Sequence, residues 1–99
     1  MCGIIGIASD KSVSSNIINS LKRLEYRGYD SAGLATLNNN LIIEKKCSGR
    51  VEQLEKIIFE NPVEGNIGIG HVRWATHGIP NTVNAHPHSS EIVSVVHNG

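Results

Sequence analysis

Apolar residues recur along this chain in two periods. Residues 3–8 (Gly-Ile-Ile-Gly-Ile-Ala) form an isoleucine-rich run set between glycines, the length of one strand. Ile17, Ile18, Leu21 and Leu24 then fall at i, i+1, i+4 and i+7, the spacing of one helical face. Ser14 or Ser15 is placed to N-cap that helix, which should run to about Tyr26, and Gly28 is placed to end it. Residues 32–37 read as a second strand and Leu41–Lys46 as a third. Between them Asn38-Asn39-Asn40 reads as a turn, since asparagine tolerates left-handed backbone angles. After Gly49 the pattern returns to helical spacing over about Val51–Glu60, with Val51, Leu54, Ile57 and Ile58 inward and Asn61-Pro62 as the stop. Ile67–Val72 predicts a fourth strand and Ile92–Val96 a fifth. A long loop of about residues 73–90 joins them.

Hairpins mixed with helices, and strands outnumbering helices, predict an α+β fold with a largely antiparallel sheet covered by helices. The last predicted strand would leave an open sheet edge. No internal repeat or low-complexity segment is present. The chain has 99 residues, enough for one domain or part of one. At 39% hydrophobic and 18% charged residues it is globular rather than disordered. Nine basic and nine acidic side chains cancel, and no like-charge block is long enough to suggest nucleic acid or a membrane surface as partner. The apolar runs are strand-sized, and the N-terminus lacks the basic stretch and apolar core of a secretory signal. Cys2 and Cys47 form neither a CxxC pair nor a disulfide framework, which points to a reducing, cytoplasmic setting.

Chemistry concentrates in a few places. Cys2 follows the initiator methionine directly. Removal of Met1 would put a thiol and a free α-amine on one residue. That amine titrates near ~7.7–8.0, so part of it is an unprotonated base at neutral pH. Read alone, Cys2 is better taken as a small apolar residue opening a buried strand. The loop after the fourth strand carries Arg73, Trp74, Thr76 and His77 together. Arg73 offers a planar fork for a carboxylate, Thr76 and His77 offer hydrogen bonds, and Trp74 a wall; the set would suit a small zwitterion. Singly, Arg73 could pair with an acid and Trp74 could fill the core. Asn98-Gly99 could supply two donors to one developing oxyanion, or be a hairpin turn. The five histidines raise a metal site, but no acidic or cysteine ligand stands at a standard spacing, so no metal is expected. Residues 26–33, with two glycines and Asp30, predict a tight bend carried close to something.

Five segments, taken together, carry a resemblance. Met1–Gly6, Leu24–Gly33, Arg73–Gly78, Asn84–His88 and Val96–Gly99 resemble, in order and with fitting spacing, the class II glutamine amidotransferases, which are N-terminal nucleophile hydrolases. The tyrosine and tryptophan motifs look like the branch that converts fructose 6-phosphate to glucosamine 6-phosphate, rather than those serving purine or asparagine synthesis. The resemblance implies an αββα sandwich and Cys2 as nucleophile, with its own α-amine as base, through a water. L-Glutamine would be hydrolysed through a γ-glutamyl thioester, with Asn98 and Gly99 holding the oxyanion. Arg73 would take the α-carboxylate of glutamine. Thr76 and His77 would line the pocket, Trp74 would help gate ammonia, and Arg27 would steady the loop around the nucleophile. No cofactor is implied.

The family's glutaminase domain continues past residue 99, and two sugar-isomerase domains follow it. The chain is therefore expected to be a partial glutaminase domain, residues 2–99, truncated within the sandwich. Fructose 6-phosphate would meet only the absent domains, and the full-length parent would be a homodimer. Alone, the piece is expected to be poorly folded and inactive. The alternatives are a non-catalytic α+β remnant or binding module, or the glutaminase part of a different class II amidotransferase. The continuation of the reading frame separates them.

Overall fold

The structure, a computed structural model, describes residues 2–74, 79 and 81–98. Its frame is a four-stranded antiparallel sheet in the order β1-β4-β2-β3, built from Gly3–Ala8 (β1), Ser31–Asn38 (β2), Leu41–Ser48 (β3) and Ile67–Arg73 (β4). The β2–β3 hairpin closes at Asn39 and Asn40, both with positive φ (52° and 65°). Two consecutive positive φ angles match the right-handed twist of the paired strands, and asparagine reaches them with little penalty.

Helices α1 (Ser14–Leu24) and α2 (Val51–Glu60) cover one face of the sheet. Ile17, Ile18 and Leu21 from α1, and Val51 and Leu54 from α2, are buried against Leu34, Ala32 and Val72. Burying such side chains stabilises by about 1.5–3 kcal/mol each, and so this layer carries the fold. The N-cap of α1 is Val13, not Ser14 or Ser15, and no side-chain cap forms. Val13 is fully buried, and its N–H is satisfied instead by the Gly65 carbonyl at 3.0 Å. Core packing outweighs the cap here. The α-helical part of α1 stops at Leu24, and Glu25–Arg27 tighten into a 3₁₀ turn before Gly28 reverses the chain at φ 123°. Glu25 then bridges to α2: its Oε2 accepts the Val51 N–H at 2.8 Å, meeting an otherwise orphaned helix-start donor.

Antiparallel register puts Cys2, Ile4, Ile69, His71, Arg73, Gly33 and Lys46 on the face away from the helices. Residues 81–98 lie across part of it. The Lys46 ammonium donates to the carbonyls of Val83, Ala85 and Pro87 at 3.4, 3.0 and 3.2 Å. Gly33 lies so close to the His86 carbonyl that any Cβ there would sit 2.1 Å from that oxygen. The expected fifth strand over Ile92–Val96 does not form. Only Ser94–Val95 (β6) pairs, with His88–Ser89 (β5), in a two-stranded ladder outside the main sheet. Ile92, Val93 and Val95 are exposed, so the burial that would hold a longer strand is absent among the described residues. The architecture is α+β with a mainly antiparallel sheet. Among the described residues no helix is long and apolar enough to cross a membrane.

Candidate active site

β1 and β4 run antiparallel, with Gly3 opposite Val72. The residue before β1 therefore lies level with Arg73, the last residue of β4, and within reach of Trp74 just beyond it. Cys2 is buried, at 5% exposure, and its Sγ donates to the Trp74 carbonyl at 3.8 Å. The 3₁₀ turn after α1 brings Arg27 to the same corner, where its Nη2 donates to the Cys2 carbonyl at 2.6 Å. A charge-assisted bond of this kind anchors the backbone of the thiol-bearing residue. The indole of Trp74 lies on the bare Cα of Gly28: a Cβ at Gly28 would come within 2.9 Å of Trp74 Cδ2. A side chain there would push the ring away. Trp74, with Gly28, Tyr26, Tyr29, Arg50 and Lys22, lines an open cavity of about 470 Å³.

Arg73 ends β4 and is almost wholly buried. Asp30 donates its N–H to the Arg73 carbonyl at 2.7 Å, and its carboxylate stands 3.9 Å from Arg73 Nη1. Ser31 Oγ holds that carboxylate at 2.8 Å. Arg73 Nη1 also donates to the Ile79 carbonyl at 3.4 Å. The guanidinium is thus held at the same end of the sheet as Cys2, by an acid from the 26–33 bend. The bend predicted to approach something approaches Arg73 and Trp74. Arg73 pairs with an acid, Asp30, and lies at the same end of the sheet as Cys2. Trp74 does not fill the core; it is half-exposed.

A second cluster lies farther along β4. His71 is fully buried, and its Nε2 lies 2.8 Å from the His97 carbonyl. Its ring stacks on His86 at 4.3 Å and 17°, and His86 meets His88 at 4.6 Å. Burial, with neighbouring histidines and Arg73, pushes His86 down to about 4. Burial likewise lowers His71, against a raising contribution from the His97 carbonyl. Both rings are neutral at pH 7. Among the described residues no three His, Cys, Asp or Glu side chains converge for a metal ion. Asn98 follows His97 and is exposed. Thr76, His77 and Gly99 lie outside the described residues.

The structure therefore brings Cys2, Arg27, Arg73 and Trp74 together, and ties the residue before Asn98 to β4. Three participants escaped the sequence reading: Asp30 as the partner of Arg73, the neutral pair His71–His86, and Lys46. For Asp30 the signal was present, in an acid between two glycines. For Lys46 it was not, because its partners are backbone carbonyls that no sequence displays.

No protein-family model matches the chain. Curated relatives match it from end to end. It is 57% identical over 101 aligned residues to glutamine–fructose-6-phosphate aminotransferase (isomerizing) of Clostridium acetobutylicum. The proteins of the same name from Mesorhizobium japonicum and Agrobacterium fabrum are 54% and 52% identical over 99 residues. All of this chain is covered in each case, and it spans only 16–17% of the length of these relatives. By sequence, the chain belongs with the amino-terminal part of the glutamine–fructose-6-phosphate aminotransferases.

Proposed function

We propose that the chain, residues 2–99, is the opening part of a class II glutaminase domain folded as an αββα sandwich. Its helices and four-stranded sheet would form the first two layers. The full-length protein would move ammonia from L-glutamine to fructose 6-phosphate, giving glutamate and glucosamine 6-phosphate. The observation that carries this reading is the corner where Cys2 meets Arg27, Trp74 and, at the same sheet end, Arg73.

With Met1 removed, the α-amine of Cys2, acting through a water, would take the thiol proton. The sulfur would attack the side-chain amide carbon of glutamine, and the carbonyl electrons would move to oxygen. The Asn98 amide and the Gly99 N–H would hold that oxyanion. Collapse would break the C–N bond, and the protonated base would return its proton to the leaving ammonia. Water would then hydrolyse the thioester to glutamate and restore the thiol. Arg73 would bind the α-carboxylate, with Thr76 and His77 beside it, while Arg27 fixes the Cys2 backbone. Trp74, half-exposed above Gly28, would stand where ammonia leaves. Both cysteines are free, as a reducing cytoplasm allows. Fructose 6-phosphate binding and homodimer formation would belong to other parts of the full-length protein.

The test is labelling of the full-length protein with a glutamine analogue carrying an electrophilic carbon at the amide position. Cys2 should be alkylated and glutamine should protect it. Cys47 should stay unlabelled, since burial pushes its thiol pKa up. Cys2→Ala should abolish glutamate release. Equal labelling of Cys47, or ammonia release by Cys2→Ala, would refute the reading.

A further inference from the structure

His71 occupies a strand position where an apolar side chain is the usual choice, and it is wholly enclosed. Its single hydrogen bond among the described residues runs from Nε2 to the His97 carbonyl at 2.8 Å, while Nδ1 has no partner there. A carbonyl only accepts, so Nε2 carries the proton and Nδ1 is bare. The ring is locked in that orientation by the His86 imidazole stacked 4.3 Å away. His86 is fixed in turn by its segment, whose flanking carbonyls at Ala85 and Pro87 are gripped by Lys46. The groups facing this stack are His88, His97, Arg73, Asp30 and Lys46. Burial and the nearby cations keep both rings neutral, which preserves the donor at Nε2.

The bonded oxygen belongs to the peptide unit that joins His97 to Asn98. That unit is planar and rigid, so holding the oxygen also sets where Asn98 begins. We propose that His71 is a positioning residue for Asn98: its neutral Nε2–H tautomer fixes the His97 carbonyl and thereby aims the Asn98 amide at the oxyanion formed on glutamine. The inference rests on the glutaminase reading above. It explains why a histidine, rather than leucine or valine, sits at this register position of β4. Donors aimed at developing charge act only when held in advance, and losing one can cost about 10²–10³ in rate.

The test compares His71→Leu and His71→Gln with wild type in the full-length protein. Glutamine hydrolysis is measured together with alkylation of Cys2 by iodoacetamide, a displacement that forms no oxyanion. His71→Leu should lower kcat about 10-fold or more, with KM for glutamine within about twofold because Arg73 still binds the carboxylate. Alkylation should keep its wild-type rate. His71→Gln, whose amide nitrogen can reach the place of Nε2, should recover most of kcat. An unchanged kcat in His71→Leu overturns the proposal. So does a joint fall of kcat and alkylation that His71→Gln does not relieve. Should His71→Leu fail to fold, imidazole ¹⁵N shifts of the wild-type protein decide: an Nε2–H tautomer supports the proposal, and an Nδ1–H or doubly protonated ring at pH 7 refutes it. A wild-type protein that releases no ammonia from glutamine removes the glutaminase reading and this inference with it. Activity in the wild type with an indifferent His71→Leu removes only the inference.

Discussion

A cysteine that opens a chain differs from every other cysteine, because its backbone nitrogen is an amine. Placed second, it needs only the loss of Met1 to reach that state. If the α-amine is the base, a retained Met1 or any residue ahead of Cys2 should lower glutamine hydrolysis by about 10²-fold or more, since an amide nitrogen accepts no proton. Intact-mass analysis paired with glutamate release measures this, and full activity in a Met1-retaining preparation would exclude the amine. The glycines around the corner make a sharper residue-scale statement. Gly33→Ala would place a carbon 2.1 Å from the His86 backbone oxygen, where no side chain can yield. It should destabilise by about 1–3 kcal/mol, read as a lower denaturant midpoint. At Gly28 the added carbon meets the Trp74 ring, and φ 123° is itself unfavourable for alanine. Gly28→Ala should therefore change the tryptophan fluorescence as well as the stability, and an unmoved emission spectrum would count against the observed packing.

Elements were legible wherever local pattern and core burial agree. The helix read at Val51–Glu60 has those bounds, and the asparagine turn closes the hairpin expected there. The strands at 3–8, 32–37 and 67–72 fall within one residue of their predicted ends. The misses lie where something distant decides. Val13 takes the cap position because the core needs its side chain, and Ser14 is buried behind it. Residues 92–96 are rich in β-branched apolar side chains like a strand, but among the described residues only Ser94–Val95 finds a partner, in β5 rather than the main sheet. At the site, Cys2 reaches Arg73 and Trp74 only through the β1–β4 register, and Asp30 reaches Arg73 only beside the β2–β4 register, which spacing cannot display. The segment 83–87 is the extreme case, since its tether is the Lys46 ammonium with Glu44 at 3.7 Å. Lys46→Met should keep the aliphatic stem and lose the three carbonyl bonds, destabilising by about 1–3 kcal/mol. Hydrogen exchange at Ala85, whose N–H now reaches the Asn81 carbonyl at 3.1 Å, should accelerate, and unchanged protection there would show the clamp to be idle.

Across the molecule, the two faces of the sheet differ in how they are held. The helix face is closed by apolar packing that no ordinary pH change touches. The opposite face leaves Ile4, Leu37 and Ile67 exposed, and its covering segment is held by neutral imidazoles and one ammonium. An open apolar face of this kind favours association. The 99-residue chain by itself should sediment as concentration-dependent oligomers; a monomer with one sharp thermal transition would contradict this. The pH dependence follows from the same asymmetry. His86 has a folded value of about 4 against an ordinary 6.5, and His71 is lowered too. Between those values the unfolded or undocked segment binds protons that the docked one excludes. The stability from docking is therefore complete above about pH 6.5 and drains away as pH falls toward 4. The groups that face the pair are His88, His97, Arg73 and Asp30, with Lys46 holding the segment; protonating either ring would set a cation against Arg73 and the other histidines. In the full-length protein, hydrogen exchange across 81–98, corrected for its intrinsic pH dependence, should rise between pH 7 and 5 while α1 and α2 stay protected. His86→Phe keeps a ring stacked on His71 but removes one titration, so it should flatten that rise. A response as steep in His86→Phe as in wild type, or one shared equally by α1 and α2, would place the pH sensitivity outside the histidine stack.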